Sequence, residues 1–188
     1  MIHGIDTGFL VALEVSSHVE HKAARAELDR ILKANDRLAL VPQVLLEFIH
    51  VVTDPKRFPN PLSMTDAREI ADRWWTAREV DQVYPNLGAV RQFFQWVEQH
   101  QLGRKRLLDT LLAATYREAN IHSLITTNAR DFGVLGGFTC IVPKAATIRL
   151  SPDELCTLAE KLVAAPDDET AARIQKEMTD GFYGEPSA

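Results

Sequence analysis

The stretch that decides the fold is Ile2-His3-Gly4-Ile5-Asp6-Thr7-Gly8-Phe9-Leu10-Val11-Ala12, close to the start of the chain. A short apolar segment, Ile2–Ile5, predicts a strand, and the apolar residues from Phe9 onward predict a helix. Asp6 lies between the two, directly after the strand. The stretch therefore predicts a strand, an acid at its carboxyl end and a helix that returns over the sheet.

The same alternation of short apolar segments and longer helical ones continues along the chain. The predicted strands are Ile2–Ile5, Leu38–Val41, Val80–Tyr84, Ser123–Thr126 and Phe138–Val142. The predicted helices are Phe9–Leu13, His18–Lys33, Gln43–Thr53, Thr65–Thr76, Leu87–His100 and Leu107–Asn120. Ser17-x-x-Glu20 predicts a capping box for the second helix, and Asn86 predicts a cap for the fifth. The pattern predicts an α/β fold in which a parallel β-sheet is sandwiched between α-helices.

Composition excludes several classes of protein. The 188 residues are 46% hydrophobic and 25% charged, which is typical of a globular domain with a core. No uncharged apolar run approaches the roughly 18 residues that a membrane helix needs, so we expect no membrane association. The N-terminus lacks the features of a signal peptide, and two cysteines are too few for a disulfide framework or a zinc site. We therefore expect a cytoplasmic protein.

Charge separates the chain into two parts. The net charge is −5, but the residues from Ser151 onward hold nine acidic and three basic groups, which leaves residues 1–150 slightly basic. A basic body permits a nucleic-acid partner without identifying one. We predict a domain over residues 1–143 and an acidic helical extension over residues 144–188. In the extension, Ser151-Pro152-Asp153-Glu154 predicts a helix start, and a second helix is expected from Asp168 to Thr179, ending at Gly181.

Three acids lie among apolar neighbours. Asp6 follows the first strand, Asp109 lies in the first turn of a helix, and Glu47 lies in a helix so apolar that we expect it to be buried. Burying an unpaired carboxylate costs several kcal/mol, so such acids are usually paired or bound to a metal. For any one of them alone, capping a helix or meeting an arginine is the simpler interpretation.

Their joint placement favours a metal site. Asp6 and Asp131 each follow a predicted strand, and the helices of Glu47 and Asp109 pack at the same edge of the sheet. In open α/β sheets the functional crevice lies outside the carboxyl ends of the strands. Four acids there would repel one another unless a divalent cation lay between them, and oxygen ligands favour Mg²⁺ or Mn²⁺. The residues therefore suggest metal-dependent hydrolysis of a phosphodiester.

Four segments of the chain also resemble, in order, the acidic motifs of PIN domains, in particular those of VapC-type toxins of bacterial toxin–antitoxin pairs. The segments are Ile5-Asp6-Thr7-Gly8-Phe9-Leu10-Val11-Ala12, Leu46-Glu47-Phe48, Leu108-Asp109-Thr110-Leu111-Leu112-Ala113-Ala114 and Ile125-Thr126-Thr127-Asn128-Ala129-Arg130-Asp131-Phe132. The resemblance implies a PIN-like nuclease domain over residues 1–143, a Mg²⁺ or Mn²⁺ site and endoribonuclease activity. It also implies a homodimer and a cognate antitoxin protein.

The resemblance assigns roles to individual residues. It implies that Asp6, Glu47, Asp109 and Asp131 are catalytic and metal-binding, with Thr127 and Asn128 as polar supports. Many relatives carry an acid at the position of Asn128, so Asp131 and Asn128 are alternatives for the second metal position.

Two further expectations concern the partner and the activity. The basic run Arg104-Lys105-Arg106 directly precedes Asp109 and is the preferred candidate for contacts to RNA phosphates. The alternative to an enzyme is a catalytically silent PIN-like module that binds RNA or a protein.

Overall fold

A computed structural model describes residues 1–144 and 150–183 of the chain. The chain divides into two compact units, Met1–Lys144 and Ala145–Ala188, and each is described by itself.

The first unit contains a five-stranded parallel sheet, as the sequence predicts. The strands are β1 (Ile2–Ile5), β2 (Arg37–Leu40), β3 (Val80–Gln82), β4 (Ser123–Ile125) and β5 (Thr139–Ile141). Their order in the sheet is β3-β2-β1-β4-β5, and every neighbouring pair is parallel. Ile5 is the register partner of Ile125, so the residues that follow these two strands emerge side by side.

Helices connect the strands. They are α1 (Thr7–Glu14), α2 (His21–Lys33), α3 (Pro42–Val52), α4 (Met64–Thr76), α5 (Leu87–Gln99), α6 (Leu107–Glu118) and the short α7 (Ala129–Gly133). A single 3₁₀ turn, Arg104–Arg106, precedes α6. Helix α7, which the sequence pattern did not predict, has only five residues, too few to show a helical period.

The two predicted helix caps have different outcomes. The Asn86 side chain accepts a hydrogen bond from the backbone N–H of Ala89 at 2.8 Å, so that cap is confirmed. The capping box at Ser17 is wrong, because α2 begins at His21. His18 replaces it locally: its Nδ1 accepts the backbone N–H of Glu20 at 3.2 Å, and Ser17 is left exposed.

The order of the strands identifies the crevice. The chain moves from β1 outward through β2 to β3, then crosses back to β4 and continues to β5. Because parallel connections are right-handed, this reversal places α1–α4 on one face of the sheet and α5–α7 on the other. The helix contacts agree, since α1 packs on α2 and α3, α3 on α4, α5 on α6, and α6 on α7. The reversal point, where a crevice opens, therefore lies between β1 and β4.

A buried tyrosine from α6 joins two strands beneath this crevice. The Tyr116 side chain is fully buried, and its hydroxyl lies 2.8 Å from the carbonyl oxygen of Ile5 and 2.9 Å from that of Ala39. The hydroxyl also accepts the backbone N–H of Ile5 at 3.3 Å. A Cβ on Gly4 would lie 2.7 Å from the tyrosine ring, so only glycine leaves room for it. Tyr116 thus fixes β1 to β2 just before Asp6.

The second unit is a pair of helices, α8 (Pro152–Val163) and α9 (Asp168–Tyr183), which pack on each other. The predicted capping box is confirmed, with Ser151 and Glu154 bonded reciprocally. The predicted end of the second helix is wrong, because α9 continues through Gly181 to Tyr183. None of the helices in the described ranges is both long enough and apolar enough to span a membrane.

Candidate functional site

Asp6 is held in place by both of its carboxylate oxygens. As the N-cap of α1, it accepts the backbone N–H of Phe9 on Oδ1 at 2.7 Å, and Oδ2 accepts the hydroxyl of Thr126. The residue is 8% exposed. Thr126 lies opposite Asp6 because their preceding residues, Ile5 and Ile125, are register partners. The carboxylate is therefore fixed at the point where β1 and β4 end.

The acids of the crevice influence one another's protonation. The pKa of Asp6 is raised to about 7, chiefly by burial and also by the charges of Asp109 and Glu47, while the hydrogen bonds from Thr126 and Phe9 act to lower it. Burial also raises the pKa of Asp109 to about 6, with added contributions from the charges of Glu47 and Asp131. Asp6, Glu47 and Asp131, which belong to three different elements, thus lie within electrostatic range of Asp109.

Glu47 differs from expectation in its burial. Helix α3 is rich in apolar residues but is not buried on every side: Leu46 is 69% exposed, and Glu47 itself is only half-buried. One face of α3 packs on α1, and Glu47 lies at the edge of that face, where its Oε2 accepts the hydroxyl of Thr7 at 2.7 Å. The glutamate is therefore held beside Asp6 while remaining open to solvent.

Asp131 is paired with an arginine. Arg106 donates to the carboxylate and to the backbone carbonyl of Asp131, and the side-chain amide of Asn128 donates to the other carboxylate oxygen. The Nε of Arg106 lies 4.0 Å from Oδ2 of Asp109. That Nε is buried and has no hydrogen-bond partner among the described residues. Arg106 therefore supplies a positive charge between the two aspartates.

Of the two predicted polar supports, Asn128 bonds to other groups around the acids, and two threonines that the sequence did not indicate do the same. The backbone N–H of Asn128 donates to Thr126 Oγ1 at 2.8 Å, which links Asp6 and Asp131 through hydrogen-bonded groups. Thr7 and Thr126 are the unpredicted supports. Thr126 had a usable signal, because it is the last residue of a predicted strand; in the structure β4 ends at Ile125, so Thr126 directly follows the strand, as Asp6 follows β1.

Gly8 keeps the space beside Asp6 open. A Cβ at this position would lie 2.4 Å from the hydroxyl oxygen of Thr127 and 3.6 and 3.7 Å from the two oxygens of Asp6. Any side chain here would displace Thr127 and cover the carboxylate. The residue therefore keeps the carboxylate of Asp6 accessible from this side.

The donor chemistry fits a hard divalent cation, although the described acids do not form a ready-made cluster. Carboxylate oxygens are the ligands that Mg²⁺ and Mn²⁺ prefer, and the raised pKa values show that these acids lack enough positive charge nearby. Within residues 1–144 and 150–183, no three His, Cys, Asp or Glu side chains lie close enough together to hold a metal ion. To surround one ion, the acids of the crevice would have to move their side chains. Asp131 could take part only after its pairing with Arg106 had broken.

The three residues of the basic run before α6 lie in two different environments. Arg104 and Lys105 are exposed on the 3₁₀ turn, whereas Arg106 is directed to Asp131 and is 21% exposed. Arg104 and Lys105 therefore remain candidates for contacts to RNA phosphates. In this structure Arg106 instead pairs with the acids.

A cavity of about 520 Å³ opens next to the acids. Thr7 and Glu47 line it beside the acids, and His18, Arg57 and Phe58 are also among its lining residues. The cavity lies within the first unit, between α1, α3 and the loop after α3. It extends the crevice away from β4.

Three solved structures are similar to the chain. VapBC2 from Rickettsia felis, bound to a DNA fragment from its promoter, has a TM-score of 0.56 at 17% identity, covering 77% of this chain and 100% of that chain. VapC20 from Mycobacterium tuberculosis, a toxin that cleaves the sarcin–ricin loop, has a TM-score of 0.54 at 17% identity over 71% and 95% of the chains. VapBC-1 from nontypeable Haemophilus influenzae has a TM-score of 0.53 at 20% identity over 76% and 98%. These likenesses concern the fold.

Comparison of the sequence with family models identifies the family. No curated protein matches the sequence. The family model described as "PIN domain" matches residues 5–137, a range that contains the last residue of β1, the strands β2, β3 and β4, and all four acids; β5 begins two residues beyond it. The chain therefore belongs to the PIN domain family.

Proposed function

We propose that the chain is a metal-dependent endoribonuclease of the VapC type, which hydrolyses phosphodiester bonds in RNA. The observation that carries this proposal is electrostatic and lies at the reversal point of a PIN-family sheet. There the charges of Glu47 and Asp109 raise the pKa of Asp6, and the charge of Glu47 also raises the pKa of Asp109. The raised pKa values of Asp6 and Asp109 mark groups whose negative charge is costly until a cation or a proton neutralises it. Residues 1–143 would form the nuclease domain and residues 144–188 an acidic helical extension.

The proposal assigns a task to each residue. Asp6, Glu47, Asp109 and Asp131 would hold Mg²⁺ or Mn²⁺, which when bound supplies charge neutralisation at the phosphate and an activated water. The chain's own groups orient these ligands: Thr126 and the Phe9 N–H hold Asp6, Thr7 holds Glu47, and Asn128 holds Asp131.

RNA binding would involve the exposed basic groups. Arg104 and Lys105, on the turn that leads to Asp109, would contact phosphates near the site, where the positive charge fixes the register of the strand. Thr127, beside Gly8, would support the crevice on the β4 side.

The proposal includes partners and location. Two of the similar structures are described as VapBC, which supports a cognate antitoxin protein as a partner in the cytoplasm. Helix α5 supports a homodimer, because Leu87, Val90 and Phe94 lie on one side of it and are 66%, 37% and 64% exposed. An exposed apolar stripe of this kind is typical of an interface.

The test of the proposal is RNA cleavage by the purified full chain. We expect cleavage of total RNA with Mg²⁺ or Mn²⁺, none with a chelator, and loss of cleavage in Asp6→Asn and Asp109→Asn. Asp29→Asn, on an exposed face of α2, is the matched control and should cleave like the wild type. Wild-type protein that binds RNA without cutting it in either metal would support the silent binding module instead.

A further inference from the structure

The cavity beside Glu47 has a chemical composition that the roles above do not use. Its lining includes the apolar residues Val11 and Val51, the aromatic residue Phe58, the cationic residue Arg57 and the imidazole-bearing His18. Its volume of about 520 Å³ lies within the range of about 300–1,000 Å³ that is usual for small-ligand sites. It is continuous with the crevice, because Thr7 and Glu47 belong to both.

The loop that carries Arg57 and Phe58 is held by Asp54. The Asp54 side chain accepts the backbone N–H of Lys56 at 2.9 Å, and its carbonyl accepts those of Arg57 and Phe58 at 3.0 and 3.3 Å. The Asp54 carboxylate also lies 3.6 Å from Nε of Arg57. Phe58 packs on the core from its other side. The backbone of this loop is therefore positioned before any ligand arrives, which lowers the entropic cost of binding.

His18, one of the residues that line the cavity, has a hydrogen-bond donor on its ring. Its Nδ1 accepts the backbone N–H of Glu20, so Nδ1 carries no proton in this arrangement. The proton of the neutral ring must then be on Nε2, because the bond made by one ring nitrogen fixes the role of the other. The cavity therefore combines an N–H donor, a cation, an aromatic ring and apolar walls.

We infer that this cavity binds one nucleotide of an RNA strand, the nucleotide adjacent to the phosphate at the acids, an inference that rests on the proposed function. The base stacks on Phe58 between the two valines, and the phosphate on its far side meets Arg57. The N–H donor of His18 pairs with the oxygen at C6 of a purine or at C4 of a pyrimidine, the position that carries an exocyclic amino group in adenine and cytosine. An exocyclic amino group there would leave two donors facing each other, so guanine and uracil are favoured over adenine and cytosine.

The first test measures binding of mononucleotides to the metal-free full chain by NMR chemical shifts or calorimetry. We expect saturable binding of GMP and UMP, with AMP and CMP about 10-fold weaker, the factor that one lost hydrogen bond produces. Inorganic phosphate alone should not reproduce the shifts. No saturable binding of any nucleotide, or equal binding of all four, overturns the inference.

Matched variants locate the binding. Phe58→Leu and Arg57→Gln should each weaken nucleotide binding, whereas Tyr84→Leu and Arg68→Gln, at exposed positions that do not line the cavity, should not. Unchanged binding in both cavity variants, with melting temperatures like that of the wild type, places the ligand elsewhere and overturns the inference.

Two substitutions of His18 test its role in base selection separately from its role in the local backbone structure. His18→Asn keeps an acceptor for the Glu20 N–H but loses the donor at the Nε2 position, and should lose the preference for guanine and uracil. His18→Gln keeps a donor at that position and should retain it. Equal preference in the two variants would contradict the assigned role of His18.

These outcomes are independent of the proposed activity. Mononucleotide binding requires no turnover, so a chain that cuts RNA but binds no nucleotide here overturns only the inference. A chain that binds nucleotides with these preferences but cuts no RNA with either metal overturns only the proposed function.

Discussion

Replacing Asp6 by asparagine should make the metal-free protein more stable above neutral pH, although the change removes a residue of the site. Asparagine is close to isosteric and is also a favoured N-cap, so the bond to the Phe9 N–H survives. What disappears is the cost of a buried negative charge. The effect should therefore depend on pH.

The magnitude follows from the pKa of Asp6. The folded-state pKa is about 7 and the ordinary value is 3.8, a difference worth about 4 kcal/mol in all at about 1.4 kcal/mol per pH unit. Because the folded pKa is raised, the folded state binds more protons than the unfolded state between these values. Wild-type stability should therefore fall as pH rises through this window, losing about 3 kcal/mol between about pH 5 and pH 8. Asp6→Asn lacks this loss.

The assay is urea unfolding of both proteins at several pH values in the presence of a chelator. The difference between the two free energies of unfolding should grow in favour of Asp6→Asn as pH rises and level off above about pH 7.5. Asp29→Asn, an exposed control, should give a profile parallel to that of the wild type. Parallel profiles for wild type and Asp6→Asn would refute the argument that burial dominates the protonation of Asp6.

Four other predictions address the surrounding structure. Tyr116→Phe should lower the free energy of unfolding by about 1–3 kcal/mol, since it leaves buried backbone groups unpaired, and Tyr84→Phe, at a half-exposed hydroxyl, should have little effect in the same denaturation assay. Arg106→Gln should tighten Mn²⁺ binding measured by calorimetry, because Asp131 loses its competing cation; weaker binding would show that the arginine positions the ligands. Phe94→Asp should shift the protein to a monomer in light scattering, and an unchanged dimer would exclude α5 as the interface. A chain ending at Lys144 should unfold cooperatively by circular dichroism, since that unit holds the whole sheet, and a molten truncated chain would contradict the domain boundary.

The sheet could be predicted because its signals are local. Each strand is a short apolar segment between polar turns, and the helices between them show their period over three or more turns. Local signals also identified the acids at strand ends and in helices; for Asp6 alone, capping a helix was the simpler interpretation, and only the joint placement of the four acids favoured a site. Asn86 was predictable for the same reason: a cap bonds to a neighbour three residues away.

The features that could not be predicted depend on contacts distant in sequence. Arg106 meets Asp131 across 25 residues, and nothing in the basic run distinguishes it from Arg104. The burial of Glu47 depends on which side of α3 meets α1, and a helix rich in apolar residues does not reveal that side. At Ser17 the local rule failed because the imidazole of His18, one residue later, took the backbone group that a cap would have satisfied.

The close contact between Gly4 and Tyr116 restricts how this sequence can vary. A methyl group at position 4 would lie 2.7 Å from a ring that is buried on all sides, so the ring cannot move aside. Alanine at position 4 is therefore tolerable only after the tyrosine has become smaller, and that first change costs the hydroxyl that joins β1 to β2. Positions 4 and 116 can therefore change only together. Either substitution made first gives a less stable protein, and only the double substitution offers another way to pack this part of the core.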